Sequence, residues 1–129
     1  MENHKTTLLL SLIITGFIAI LFIESSQPPL ALLGEHNLDK VAHFLAFTCL
    51  TFLICSLSFK LQPKLTIRLF SWPLLIAILI GITEESYQLQ VPGRSADPLD
   101  LLADICGALF AILLANYIAR LCRNRSNNN

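Results

Sequence analysis

Nine side chains that can carry charge or hydrogen-bond strongly fall in three short clusters of an otherwise apolar chain: Asp39, Lys40 and His43; Glu84, Glu85 and Gln88; Arg94, Asp100 and Asp104. Residues three or four apart share one face of a helix. Asp39 and Lys40 therefore each pair with His43, Glu84 and Glu85 each with Gln88, and Asp100 with Asp104. An imidazole beside carboxylates suits proton transfer. The same groups suit a cation, and the guanidinium fork of Arg94, after a Pro-Gly turn, suits a carboxylate or phosphate.

Such clusters need elements to hold them, and the composition says which. With 54% hydrophobic and 14% charged residues, the chain is too apolar for an ordinary soluble domain. Residues 6–23 and 41–59 carry no charge over 18 and 19 positions, enough helix to cross a hydrocarbon core of about 30 Å. Two further uncharged runs of 15 residues, 69–83 and 105–119, span only if their ends bring the acids with them. The pattern predicts an all-α, four-helix transmembrane bundle forming a single integral membrane domain over 1–129, with helices at about 6–24, 39–59, 67–88 and 98–119 and a disordered tail over 120–129. The first helix is expected to be retained, because IESSQPP offers no A-x-A-like cleavage site.

Lysine and arginine set the orientation. Lys5, Lys60, Lys64, Arg68, Arg120, Arg123 and Arg125 fall at one face, and only Lys40 and Arg94 at the other, so both ends of the chain are expected in the cytoplasm. The loops over 24–40 and 84–100 then share the outer side, where eight acids face two cations. Asn37 is placed to cap the second helix, and Trp72 and Pro73 to anchor and open the third. His4 and His36 are expected in solvent. Cys49, Cys55, Cys106 and Cys122 have no CxxC spacing and are read as small packing residues, and no basic stripe argues for nucleic acid.

Two readings of the rim stand side by side. In one, Lys40 and Arg94 neutralise acids in a network that fixes helix register, with Arg94 clamped on Asp97 or Asp100. In the other, the surplus of acids is met by protonation, a cation or a cationic ligand. Asp39, His43 and Glu85 are a conceivable metal set, yet a lone histidine at a membrane edge more often hydrogen-bonds, so neither a metal nor a cofactor is expected. Ala77 and Gly81, and Gly107, Ala111 and Ala115, form small-residue stripes that predict close packing of the third helix on the fourth. Phe44 and Phe47 are read as packing residues.

The order DKVAHF, EESYQLQVPGR, DLLADICG resembles the VanZ-like family of small bacterial membrane proteins over residues 37–115. Asp39, Lys40, His43, Phe44, Glu85, Gln88, Pro92, Gly93, Arg94, Asp100 and Gly107 carry the likeness. The chain departs from the pattern at Asp104, where the family usually has Asn, at Ala111, where a second Gly is common, and at Phe47, where an aromatic hydroxyl often sits. The resemblance implies a four-helix membrane layout with an outward-facing polar cluster, and the family's name-giving member is associated with teicoplanin resistance.

The leading expectation is a non-enzymatic, multi-pass protein of the bacterial cytoplasmic (inner) membrane. Its outer pocket would recognise a polar or phosphate-bearing group, such as that of a lipid-linked envelope precursor or a glycopeptide. Lys40, His43 and Arg94 would contact an anion, and Glu85, Gln88 and Asp100 would position them or bind a cation. The alternatives are an intramembrane acid-base hydrolase using Glu85 and His43, and a small helical partner of another membrane protein, with membrane lipid around it in every case. The EExxxR signature of intramembrane CAAX-type proteases would need arginine at 89, which is Leu89, and no Ser-His-Asp set occurs.

Overall fold

In hydrocarbon, backbone N–H and C=O groups find no water, so an apolar run must close its own hydrogen bonds. The computed structural model describes residues 2–28, 38–69 and 71–127, and these form four helices with no strand among the described residues: α1 (Glu2–Ser25), α2 (Leu38–Leu61), α3 (Trp72–Gln88) and α4 (Pro98–Asn127). Asn37 and His36 lie outside the described residues. Three helical stretches, His4–Ser25, Leu38–Leu61 and Pro98–Ser126, are long and apolar enough to cross a membrane. The fourth, α3, has 17 residues, or about 25 Å of rise.

α3 starts at Trp72 and not near 67, because Pro73 in its first turn has no N–H to give to the preceding turn. The chain before it is held otherwise: the Asn116 carboxamide accepts from Ile67 N at 3.0 Å and donates to Ile67 O at 2.7 Å. The tail differs from expectation as well. α4 continues unbroken through 120–127, where a disordered segment is expected from the Asn- and Arg-rich composition. No glycine or proline interrupts 108–127, and Arg123 Nη1 donates to Leu65 O at 3.1 Å, tying this extension to the loop below α2.

α2 and α4 share the most extensive packing, α3 lies against both, and α1 rests on α2 and α3. Phe47, Leu50, Cys55, Ala108 and Ile112 are wholly buried between them. Leu8, Leu12, Leu75, Leu79, Leu113 and Tyr117 are more than half exposed, an outer surface suited to an apolar solvent. Cys55 packs in the core as expected, but Cys49, Cys106 and Cys122 are exposed, a correction to their reading as packing residues; all four are free.

Contact between α2 and α4 runs through Gly107. A Cβ there would fall 2.3 Å from Phe44 O, so only glycine admits the backbone of α2, and Thr48 Oγ1 donates to Gly107 O at 3.2 Å in the same place. Gly107 thus serves α2 rather than α3. On α3, Ala77 is buried and Gly81 does face α4, where a Cβ would lie 2.9 Å from Asp104 Oδ2; Ala111 and Ala115 are buried on α4.

Candidate functional site

Asp39 and Lys40 stand in the first turn of α2, and Asp97 precedes α4, where its Oδ1 accepts from Leu99 N at 2.9 Å as a helix cap does. Lys40 Nζ sits among three carboxylates: Asp97 Oδ2 at 2.9 Å, Asp39 Oδ2 at 3.2 Å and Asp100 Oδ1 at 3.3 Å. One ammonium therefore gathers the N-termini of α2 and α4. Its hydrogen bond, with that from Leu99 N, holds the Asp97 carboxyl below its ordinary range.

One turn deeper, His43 Nδ1 lies 2.9 Å from Asp104 Oδ1, and Nε2 lies 3.9 Å from Asp100 Oδ2. An ionised carboxylate only accepts, so beside ionised Asp104 the Nδ1 atom bears the proton, and Nε2 offers a lone pair when the ring is neutral. Asp104 is 1% exposed. It takes its place against His43 because α4 approaches α2 so closely at Gly107, one turn further along.

α3 supplies Glu84, Glu85 and Gln88, all buried. Glu84 Oε1 accepts from Ser25 Oγ at the end of α1. Glu85 points the other way, with Oε2 accepting from Asp97 N at 2.9 Å. The remaining atoms of this layer, Glu84 Oε2, Glu85 Oε1, Gln88 Nε2, Asp39 Oδ1 and Asp104 Oδ2, are buried without a hydrogen-bond partner. Buried polar atoms left so cost roughly 1–3 kcal/mol each, and native proteins keep few of them.

Arg94 behaves differently from expectation. Its fork reaches neither Asp97 nor Asp100: Nε donates to Gln27 O at 2.8 Å and Nη2 to Glu24 O at 3.1 Å. Carbonyls at a helix C-terminus carry partial negative charge and are suitable partners for a cation. Gly93, at φ +84°, makes the turn that sends Arg94 towards α1. These contacts also put the segment after α1 and the α3–α4 connection at one end of the bundle.

Between the two groups opens a cavity of about 210 Å³. Its polar lining comes from Glu24, Ser25, Asp39, His43, Glu84, Gln88 and Arg94, and its apolar lining from Leu21, Ala42, Ala46 and Phe47. All nine expected polar residues meet at this end. Asp39, His43, Glu84, Gln88 and Arg94 face the cavity; Lys40, Glu85, Asp100 and Asp104 lie outside its lining, joined by the contacts above. Phe44 packs on Phe110, ring centroids 5.8 Å apart, while Phe47 serves both core and cavity. His4 is exposed, as expected.

Sequence reasoning missed Ser25 and Asn116. Each had a signal: a serine pair closing an apolar run, and an asparagine within an uncharged one, both of which need partners in a membrane. No curated protein and no solved structure matches the chain. The family model described as VanZ/LLP1 does, over residues 3–120. That match takes in the larger part of every helix and the whole polar rim, and the chain belongs to the VanZ/LLP1 family.

Proposed function

We propose that this membrane protein lies in the bacterial cytoplasmic membrane with its polar rim outward, and that the rim cavity receives the hydrogen-bonding portion of an envelope constituent, a lipid-linked precursor or a glycopeptide. The orientation is supported by seven cations towards the opposite face and two at the rim. The observation that carries the binding role is the set of unpartnered buried atoms around the cavity: Asp39 Oδ1, Glu84 Oε2 and Gln88 Nε2. Two are acceptors that want donors, which hydroxyl, amide and amine groups provide.

The cations play a smaller part than the sequence suggests. Lys40 is committed to three carboxylates, and of the two cations only Arg94 lines the cavity. The ligand is therefore met chiefly by acceptors, with Arg94, held by the carbonyls of Glu24 and Gln27, beside them in the lining. Ser25, the one hydroxyl side chain in the lining among the described residues, donates to Glu84.

The test uses the full chain in lipid nanodiscs with teicoplanin as probe, together with teicoplanin susceptibility of cells expressing it. Glu84→Gln and Arg94→Ala, correctly inserted, should each weaken binding about tenfold, as loss of a hydrogen bond to a charged group does. If both variants bind and protect as wild type does, the cavity is not the site. Hydrolysis of a lipid-linked precursor by the purified protein, lost in His43→Gln, would replace binding with acid-base catalysis.

A further inference from the structure

Beside the cavity, at the junction of α2, α3 and α4, His43, Glu85 and Asp100 each offer one ligand atom, and these atoms lie within 4.8 Å of one another. The set differs from the one the sequence suggested, with Asp100 in place of Asp39. We infer that His43, Glu85 and Asp100 form a binding site for a divalent first-row transition cation, with Asp104 fixing the imidazole. The site adjoins the cavity and shares His43 with its lining, but it takes the cation whether or not the cavity is filled.

Four observations carry it. First, the histidine is oriented as a ligand: its Nδ1 is 2.9 Å from Asp104 Oδ1, which leaves Nε2 towards Asp100 Oδ2 at 3.9 Å. A carboxylate holding the far ring nitrogen is the usual support of a metal-bound imidazole. Second, Glu85 is 7% exposed, and while its Oε2 is anchored by Asp97 N, its Oε1 is buried with no partner. That oxygen is left over from the hydrogen-bond network and belongs to the carboxylate of the triad.

Third, the spacing suits a small ion. Donors about 2.0–2.2 Å from a metal stand roughly 3–4 Å from one another, so the His43–Asp100 separation already fits, and side-chain rotation brings in the remainder. Fourth, the charge suits a bound cation. Asp39, Glu84, Glu85, Asp97, Asp100 and Asp104 face Lys40 and, on backbone carbonyls, Arg94. One imidazole nitrogen with two carboxylates selects a borderline cation such as Zn²⁺, Fe²⁺ or Co²⁺ over Mg²⁺ or Ca²⁺, which prefer oxygen alone.

The full chain, purified in detergent and stripped with chelator, is titrated with Co²⁺ and followed by its visible absorption and by metal content after dialysis. About one Co²⁺ per chain is expected, displaced by Zn²⁺ and not by Mg²⁺. Glu85→Gln and Asp100→Asn should each abolish the spectrum with helicity unchanged, Asp104→Asn should weaken affinity about 10- to 100-fold, and His4→Ala should change nothing. For a readout that needs no variant, the ¹⁵N resonance of His43 Nε2 should move on adding Zn²⁺ while Nδ1 stays protonated. Wild type retaining less than about 0.1 equivalent at micromolar metal, or binding untouched by Glu85→Gln and Asp100→Asn, overturns the site. Neither result depends on teicoplanin binding, so the two readings fail separately.

Discussion

Gly107 of α4 lies against Phe44 of α2 so closely that a methyl group at 107 would stand 2.3 Å from the Phe44 carbonyl oxygen and 3.1 Å from Thr48 N. Neither obstacle is a side chain that can turn aside, so the helices themselves must part. Gly107→Ala should lower stability by about 1–3 kcal/mol or more, read as a lower Tm in detergent. Gly16, with nothing within 4 Å of its would-be Cβ, is the control: Gly16→Ala should hold or raise Tm.

Asn116 is the counterpart at the opposite end. Its carboxamide satisfies both backbone groups of Ile67, a residue 4% exposed. Asn116→Leu would leave a donor and an acceptor without partners, and a loss of about 1–3 kcal/mol is expected in chemical unfolding of the detergent-solubilised protein. Asn116→Asp, which keeps the acceptor and removes the donor, should lie between.

Arg94 straps the end of α1 to the α3–α4 turn through the carbonyls of Glu24 and Gln27. Arg94→Ala should loosen that end without unfolding the bundle, so amide exchange at Ser26 and Gln27, whose N–H groups bond Phe22 O and Glu24 O, should quicken by about tenfold. Exchange along the middle of α2 should not change.

Asp97 gives the pH dependence. Lys40 and Leu99 N hold its carboxyl below the ordinary value of 3.8. A depressed folded-state pKa means that the contribution is fully present above the unfolded value and is lost as pH falls through the folded one. Wild type should therefore exceed Asp97→Asn in Tm by a constant margin from about pH 5 upwards, and the margin should close below about pH 4. A margin that instead widens in acid would contradict the Lys40–Asp97 pairing.

Much of this was legible in the residues. Uncharged runs placed the helices, and the three- and four-residue spacings brought Lys40, His43, Glu84, Gln88 and Asp100 to one end. What escaped has a common cause: sequence patterns name a face but not its partner. The Gly107 stripe announced close packing, yet nothing in its period distinguishes α2 from α3 across it. Arg94 and Asn116 bind backbone carbonyls and amides, which every residue possesses and no pattern marks. Residues 120–127 look disordered by composition, but no glycine or proline breaks the helix there, and Arg123 on Leu65 ties the extension to the loop after α2.

α1 differs from the other helices in how it is held. No side chain of its apolar stretch is fully covered; it touches the core through Ile14, Phe17, Ile18 and Leu21, and the polar ties from Ser25, Glu24 and Gln27 lie at the rim. The cavity is walled by α1, α2 and α3 and not by α4. A guest large enough to strain the chamber would thus push α1 outward like a stave from a barrel, while the α2–α4 stem stays shut. The surrounding acyl chains press that stave home, and so bilayer lateral pressure becomes a determinant of what the chamber can admit.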